Sequence, residues 1–265
     1  MTRFHIAALA SAALVASSPL ASAQEPTPHY WPVSDSAYGV VDPPHPHLRT
    51  RDDTVASEKT RRAALRASDL RIVVSVADRR LWVLSGKDTL RVADVAVGMG
   101  QTLKYAGRRW TFATPVGTHV VHAKRTRTYW RPPDWAYAEV AKEHGLRLVA
   151  LPSNRDVTLP DGRKLVVRDS LVGIMMPDGF APLPIDEHVV FGDALYVPPI
   201  GTKNRLIEGE LGTHQLDLGG GYLLHGTPYE NSIGGANTHG CVRLRGEDIE
   251  WLHEAIPVGT RVYVY

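Results

Sequence analysis

Cys241, the single cysteine of the chain, lies among residue types that could form a nucleophile and its base. Residues 238–243 have the sequence Thr-His-Gly-Cys-Val-Arg, and His225-Gly226 lies a short distance upstream. A lone thiol cannot form an internal disulfide, and a free thiol with a pKa of about 8.5 is mostly protonated at neutral pH. It therefore gains from a nearby imidazole, and the segment predicts nucleophilic chemistry at Cys241.

Either of two histidines could be the base for this thiol. His225 directly follows a predicted strand at 222–224, which would hold its imidazole steady. If the segment around the cysteine formed a strand, His239 and Arg243 would lie on the same face as Cys241, because side chains alternate along a strand. Spacing alone leaves both histidines as candidates.

Gly240, immediately before the cysteine, has a predicted role of its own. A glycine there would let the backbone approach closely, so that peptide N–H groups could form an oxyanion hole.

Two other interpretations stay open at this point. His225, His239 and Cys241 could bind zinc, although no fourth ligand and no Cys-x-x-Cys pair is evident. Alternatively, Cys241 is an inert buried thiol and His225 a histidine of the core.

The composition fits an ordinary folded protein. The chain has 265 residues and 43% hydrophobic residues, enough for a proper core in one large domain or two small ones. Lys and Arg number 30 and Asp and Glu 28, so the formal net charge is +2, and nothing in this balance predicts a nucleic-acid partner.

The first 23 residues have the pattern of a signal peptide. Arg3 gives a positive start, residues 6–16 are apolar, and Ala21-Ser22-Ala23 has the small-x-small pattern of a cleavage site. The apolar run is shorter than the roughly 20 residues that span a bilayer. We expect an exported protein, in the periplasm or cell wall, without a stable membrane span.

Most of the remaining chain shows strand patterns. Residues 24–69 are predicted to form a Pro/His-rich lead-in that ends in a short charged helix at 53–67, with Thr54 as its N-cap. From residue 70, alternating apolar and polar residues predict half-buried antiparallel strands. The predicted strands lie at 71–77, 80–84, 90–97, 118–122, 216–218, 222–224 and 261–265, and a further helix lies at 247–255.

Residues 131–210 are predicted to be an insertion on this β domain that flanks the site. A helix is expected at 136–144, and Asp161-Gly162 between two apolar runs predicts a hairpin. Residues 177–184 are expected to be a loop.

Residues 225–243 resemble the signature of the L,D-transpeptidases of the YkuD type. The pattern is His-Gly, a glycine-containing spacer, Ser/Thr-His-Gly-Cys, a hydrophobic residue, and Arg or Asn, and each fixed element is present. The resemblance extends to the opening hairpin at 70–84 and to Thr-Pro-Val-Gly at 114–117, and covers about 70–130 and 211–265. The insertion has no counterpart in the minimal family domain.

The resemblance implies a mostly β, sandwich-like catalytic domain at 70–265 with a few short helices. Cys241 would be the nucleophile, His225 the proton acceptor and donor, and the backbone carbonyl of Gly226 the group that orients the imidazole. The pocket and the oxyanion hole would be shaped by Thr238, His239, Gly240 and Arg243.

The implied reaction is acyl transfer on peptidoglycan stem peptides. The cysteine would attack the carbonyl between an L-centre and a D-residue, expel the terminal D-amino acid, and pass the acyl group to an amine. The family implies no metal and no organic cofactor, and β-lactams of the carbapenem type are expected as inhibitors.

Two alternative functions remain open. An L,D-carboxypeptidase, or a hydrolase of cross-links or lipoprotein linkages, would form the same thioester and pass the acyl group to water. A catalytically silent wall-binding protein would keep the fold alone, but it would have no use for a reactive thiol.

Overall fold

The computed structural model describes residues 50–126 and 128–265, so the predicted signal peptide and residues 24–49 of the lead-in lie outside the described residues. Its helices are α1 (Arg51–Arg66), α2 (Asp134–Glu143) and α3 (Gly246–Ala255). Its strands are β1 (Arg71–Ser75), β2 (Arg80–Ser85), β3 (Asp88–Asp94), β4 (Val97–Gly98), β5 (Thr102–Tyr105), β6 (Arg108–Thr111), β7 (Gly117–Val120), β8 (Ala123–Thr126), β9 (Tyr129–Trp130), β10 (Arg147–Ala150), β11 (Val157–Thr158), β12 (Lys164–Arg168), β13 (Leu171–Met176), β14 (Gly179–Pro182), β15 (Val189–Phe191), β16 (Ala194–Val197), β17 (Ile207–Glu208), β18 (His214–Asp217), β19 (Leu223–His225), β20 (Ala236–Thr238), β21 (Val242–Arg243) and β22 (Arg261–Val264). None of the helices in this described part is long and apolar enough to cross a membrane.

Two sheets enclose the main core. The first has the strand order β3-β2-β1-β22-β7, and the second has the order β21-β19-β18-β8. Buried apolar side chains from both sheets and from α3 form one cluster, whose members include Ile72, Leu216, Val242 and Ile249. The predicted fold, mostly β and sandwich-like with a few short helices, is confirmed.

The first strand differs from its prediction. Every residue of β1 is buried, whereas the alternation of residue types predicts a half-buried strand. Ile72 and Val74 face the main core, and Val73 packs with Ala64 of α1 and Tyr263 of β22. Because α1 covers the outer face of the sheet, both faces of β1 are shielded from water, and the predicted half-burial is wrong.

Helix α1 begins earlier than predicted. Its N-cap is Thr50 rather than Thr54, because the Thr50 hydroxyl accepts a hydrogen bond from the Asp53 N–H while the Asp53 carboxylate accepts one from the Thr50 N–H. This reciprocal capping box satisfies two backbone donors that the first turn of a helix otherwise leaves without partners.

The insertion leaves the main domain through a short two-stranded neck. Strands β9 and β17 pair antiparallel, with Trp130 opposite Ile207 and Tyr129 opposite Glu208. Beyond this neck the insertion has its own apolar cluster, which includes Leu165, and a three-stranded sheet ordered β10-β16-β15.

Two of the three elements predicted within the insertion are confirmed. The helix is α2, and the Asp161-Gly162 turn joins β11 and β12 in an antiparallel hairpin. The predicted loop at 177–184 is wrong, since β14 pairs with β13 there. Pro182 is tolerated because it ends an edge strand of its four-stranded sheet, where a missing N–H breaks no inner ladder.

Arg205 joins the insertion to the start of α2. Its side chain is 4% exposed. The guanidinium donates to the Pro132 carbonyl at 2.7 Å, the Pro198 carbonyl at 2.9 Å and the Asp134 carboxylate at 2.6 Å. One side chain thus satisfies three acceptors from two stretches of chain, 132–134 and 198.

We expect Arg205→Met to destabilise the fold by about 3 kcal/mol, because removing one partner of a buried ion pair leaves the other groups unsatisfied. The melting temperature should fall by roughly 5–10 °C. The matched control is Arg147→Met, because Arg147 forms a bidentate ion pair with Asp193 on the surface, where both side chains are mostly exposed. Equal melting temperatures for the two variants would contradict the proposed role of Arg205.

Candidate active site

The parallel pairing of β19 with β21 puts the predicted base, His225, in register with Arg243, two residues after the predicted nucleophile, Cys241. Leu224 lies opposite Val242, and His225 lies opposite Arg243. Leu224 and Val242 point into the main core, so alternation puts His225 and Arg243 on the other face. Cys241, two residues before Arg243, lies beside the start of β19, where the Leu223 N–H lowers the pKa of its thiol.

The His225 imidazole has a defined orientation. The residue is 4% exposed, and its Nδ1 lies 2.6 Å from the backbone carbonyl oxygen of Gly226, the contact that the family resemblance implies. A carbonyl oxygen can only accept, so Nδ1 carries the proton and Nε2 is left with the lone pair. His225 is therefore held as a neutral base.

The cysteine turn, residues 238–241, is closed by the hydroxyl of Thr238. This hydroxyl accepts from the Gly240 N–H at 3.2 Å and donates to the Cys241 carbonyl at 2.6 Å. The Gly240 N–H, which was expected to serve an oxyanion hole, is therefore used inside the turn. Within residues 50–126 and 128–265, the N–H of Cys241 donates to no other group and remains available for an external oxygen atom.

Glycine is required at position 240. Its φ is +128°, a conformation that L side chains rarely adopt. A Cβ atom there would lie 3.0 Å from the Ala113 carbonyl oxygen and 2.9 Å from the ring of Tyr222. The backbone of the cysteine turn therefore packs against both neighbours without room for a side chain.

The Thr-Pro-Val-Gly element supports the cysteine turn from behind. The buried Thr114 hydroxyl accepts from the Gly98 N–H at 2.8 Å, and the adjacent Met99 N–H donates to the Thr238 carbonyl at 2.8 Å. Strand β4 also pairs in parallel with β20. The Thr-Pro-Val-Gly element at 114–117 therefore supports the segment that carries Cys241 through its contact with β4.

His239 is directed toward helix α2. Its Nε2 lies 2.7 Å from the carboxylate of Glu139 in α2. Residues 239–241 form a bend, and β21 starts only at Val242, so the strand alternation that would put His239 beside Cys241 does not apply. The same separation argues against the zinc interpretation, and no three His, Cys, Asp or Glu side chains in the described part of the chain converge as a metal site.

Burial keeps both members of the pair neutral. Burial, together with the positive charge of Arg243, lowers the pKa of His225 to about 4, although the carbonyls of Gly226 and Leu211 act in the opposite direction. Cys241 as a whole is half-buried, but protein surrounds its thiol closely enough for desolvation to raise its pKa to about 11. At neutral pH the site therefore holds a thiol and an uncharged imidazole rather than an ion pair.

Several groups at the site were not predicted from the sequence. The Gly221 carbonyl lies 3.9 Å from the Cys241 sulfur, and Asp217 raises the pKa of the thiol. The run of three glycines at 219–221, all with positive φ, was a signal that could have identified this loop. Glu139 gave no signal, because its contact depends on how the insertion folds.

The Arg243 charge gives a testable pH effect. Since Arg243 lowers the pKa of the Cys241 thiol, Arg243→Gln should raise that pKa and slow alkylation by iodoacetamide several-fold at about pH 9, where the thiolate fraction limits the rate. The chain has one cysteine, so mass spectrometry of the alkylated protein measures Cys241 alone.

Arg245→Gln is the matched control, because Arg245 lies two residues further along, 4.0 Å from Asp94, and does not shift the thiol. Equal alkylation rates in the two variants would show that Arg243 has no electrostatic influence on Cys241.

Comparison with known proteins identifies the family. The model of the L,D-transpeptidase catalytic domain, YkuD, matches residues 69–264. The probable L,D-transpeptidase ErfK/SrfK of Salmonella typhimurium is 27% identical over 194 residues, which cover 73% of this chain and 43% of that protein. The probable L,D-transpeptidase YbiS of Escherichia coli is 47% identical over 66 residues, which cover 25% of this chain and 20% of that protein.

A crystal structure of an L,D-transpeptidase from Xylanimonas cellulosilytica is 18% identical, with a TM-score of 0.40, over 76% of this chain and 62% of that one. The chain spans less than half the length of the two curated relatives it matches. Since the family model covers most of the chain and includes the whole site, the protein belongs to the L,D-transpeptidase (YkuD) catalytic-domain family.

Proposed function

We propose that the protein is an exported cysteine acyltransferase that carries out L,D-transpeptidation on peptidoglycan stem peptides. The observation that carries the proposal is the buried His225 imidazole, held neutral and oriented by the Gly226 carbonyl at the end of β19, the same strand whose Leu223 N–H contacts the Cys241 thiol. A nucleophile, an oriented base and a free backbone N–H at the nucleophile are the parts that acyl transfer needs.

Acylation begins from neutral groups. Nε2 of His225 takes the thiol proton while the sulfur of Cys241 attacks the carbonyl carbon between the L-centre and the D-residue. The carbonyl oxygen becomes an oxyanion, which the N–H of Cys241 is available to bind. When the C–N bond breaks, the imidazolium gives its proton to the leaving amine, and the acyl group remains on sulfur as a thioester.

Deacylation repeats these steps with an acceptor amine. The amine attacks the thioester and gives a proton to His225, the C–S bond breaks, and the thiolate takes the proton back. An amide is formed, and both groups return to their neutral state.

The pattern of residues 1–23 supports export to the compartment that contains this substrate. The same nucleophile would open the strained cyclic amide of a β-lactam and keep the acyl group, so carbapenems are proposed as inhibitors.

The products of a defined reaction test this proposal. Purified protein incubated with a stem tetrapeptide and an amine acceptor should give a cross-linked or amine-exchanged product by mass spectrometry, and Cys241→Ala should give none. Tripeptide alone would show that water is the acceptor and would make the protein a hydrolase. Absence of an acyl-enzyme with both tetrapeptide and carbapenem would refute acyl transfer altogether.

Substitution of the two histidines tests the assignment of the base. His225→Ala should lower the acylation rate by about 10²–10⁴-fold, the range for loss of a general base. His239→Ala should lower it less, because His239 is bound to Glu139 and does not face the thiol. Equal residual rates in the two variants would defeat the assignment.

The pH dependence of acylation should follow His225. The base must be neutral, and its pKa is about 4, so the rate should stay level as pH falls from neutral and should drop as pH passes through about 4. Arg243→Gln should move this acid limb to higher pH, because it removes a charge that lowers the His225 pKa. An acid limb near pH 6.5, the ordinary value for histidine, would contradict the buried neutral base.

A further inference from the structure

The insertion contacts the cysteine turn through a buried carboxylate. Glu139 lies on α2 and is 1% exposed. Its Oε1 lies 2.7 Å from Nε2 of His239, the residue that comes two positions before Cys241. A buried carboxylate is costly unless it accepts hydrogen bonds, so this contact is a strong constraint on both side chains.

Aromatic rings fix the remaining faces of His239. Trp135, one helical turn before Glu139 on α2, stacks on the imidazole with ring centroids 4.0 Å apart and an angle of 14°. Phe112 meets the imidazole edge-on, with centroids 4.6 Å apart and an angle of 78°. These contacts hold the ring in place, and α2 supplies both the hydrogen-bonded carboxylate of Glu139 and the stacked ring of Trp135.

These contacts bear directly on the cysteine turn. Thr238 closes the turn from inside through Gly240 and Cys241, and His239 projects from it on the outside. Gly240 has no side chain with which to hold its own position. The direction of the Cys241 N–H therefore depends on the hydrogen bonds of the Thr238 hydroxyl and on the contacts that hold His239.

We propose that Glu139 is a positioning residue, which acts through His239 to hold the cysteine turn so that the Cys241 N–H can bind the reacting oxygen. The catalytic consequence of this role rests on the proposed acyl transfer. The ordering of the turn by Glu139 does not depend on that function. The insertion is then part of the catalytic apparatus, because without α2 the turn would lose its outer anchor.

Two substitutions of Glu139 separate the hydrogen bond from packing. Glu139→Gln keeps an acceptor oxygen for His239, whereas Glu139→Met keeps a similar volume without the acceptor. Two quantities are measured in the full chain with imipenem: the acylation rate at saturation, and the concentration that gives half that rate. Hydrogen exchange of the peptide that covers 236–244 reports the order of the turn directly.

We expect the Met variant to acylate about 10–100-fold more slowly at saturation, the scale of a misplaced oxyanion donor, with little change in the half-saturating concentration. Exchange at 236–244 should be faster in that variant. The Gln variant should stay within about threefold of the wild-type rate, since its hydrogen bond is retained. Asp193→Asn, an exposed acid of the insertion paired with Arg147, is the control and should match the wild type.

Wild-type exchange in the Met variant, or equal losses in the Gln and Met variants, would overturn the proposal. A wild-type protein that does not react with imipenem would refute the proposed function, and the exchange comparison would still decide the role of Glu139. If the Met variant does not fold, the double variant Glu139→Met/His239→Leu removes the acid together with its partner and leaves neither group unpaired, and unchanged exchange at the turn would then overturn the proposal.

Discussion

The register of β19 against β21 is the constraint on which the site depends. Leu224 and Val242 are directly opposite each other and are both buried in the main core. A slip by one residue would turn these side chains outward and put His225 into the core, because side chains alternate along a strand. The hydrophobic burial that stabilises the sandwich therefore also sets which face carries His225 and Arg243.

The same burial decides the charge state of the site, and Arg243 modifies it in a particular way. A cation near both groups lowers the pKa of Cys241 and of His225 together, so its effect on proton transfer between them partly cancels. No such cancellation applies to negative charge that develops on a substrate oxygen. The benefit of Arg243 to acyl transfer would then lie mainly in stabilising the anionic states of the reaction rather than in forming the thiolate.

Most strands and the helices α2 and α3 could be predicted, because each depends on local patterns in the sequence. The roles of Cys241 and His225 stay predictions that rest on the motif at 225–243. The burial of β1 could not be predicted, since it depends on α1 packing over the sheet. The orientation of His239 also differs from the one that a strand would give. Residues 239–241 form a bend, so the side-chain alternation of a strand does not hold there. Glu139 lies 100 positions before its partner, and no local pattern indicates such a contact.

The insertion is both separate from the main domain and tied to it. Its neck is one short ladder, and the apolar cluster that includes Leu165 is distinct from the main core, whereas Ala138 of α2 packs with Leu103 and Phe112 of the main domain. Helix α2 is the exception, because it carries a fully buried acid whose partner belongs to the cysteine turn. Burying that carboxylate without His239 would destabilise α2, and exposing His239 without α2 would release the turn. If Glu139 positions the cysteine turn as proposed, the order of the segment that carries Cys241 is linked to the folding of the insertion.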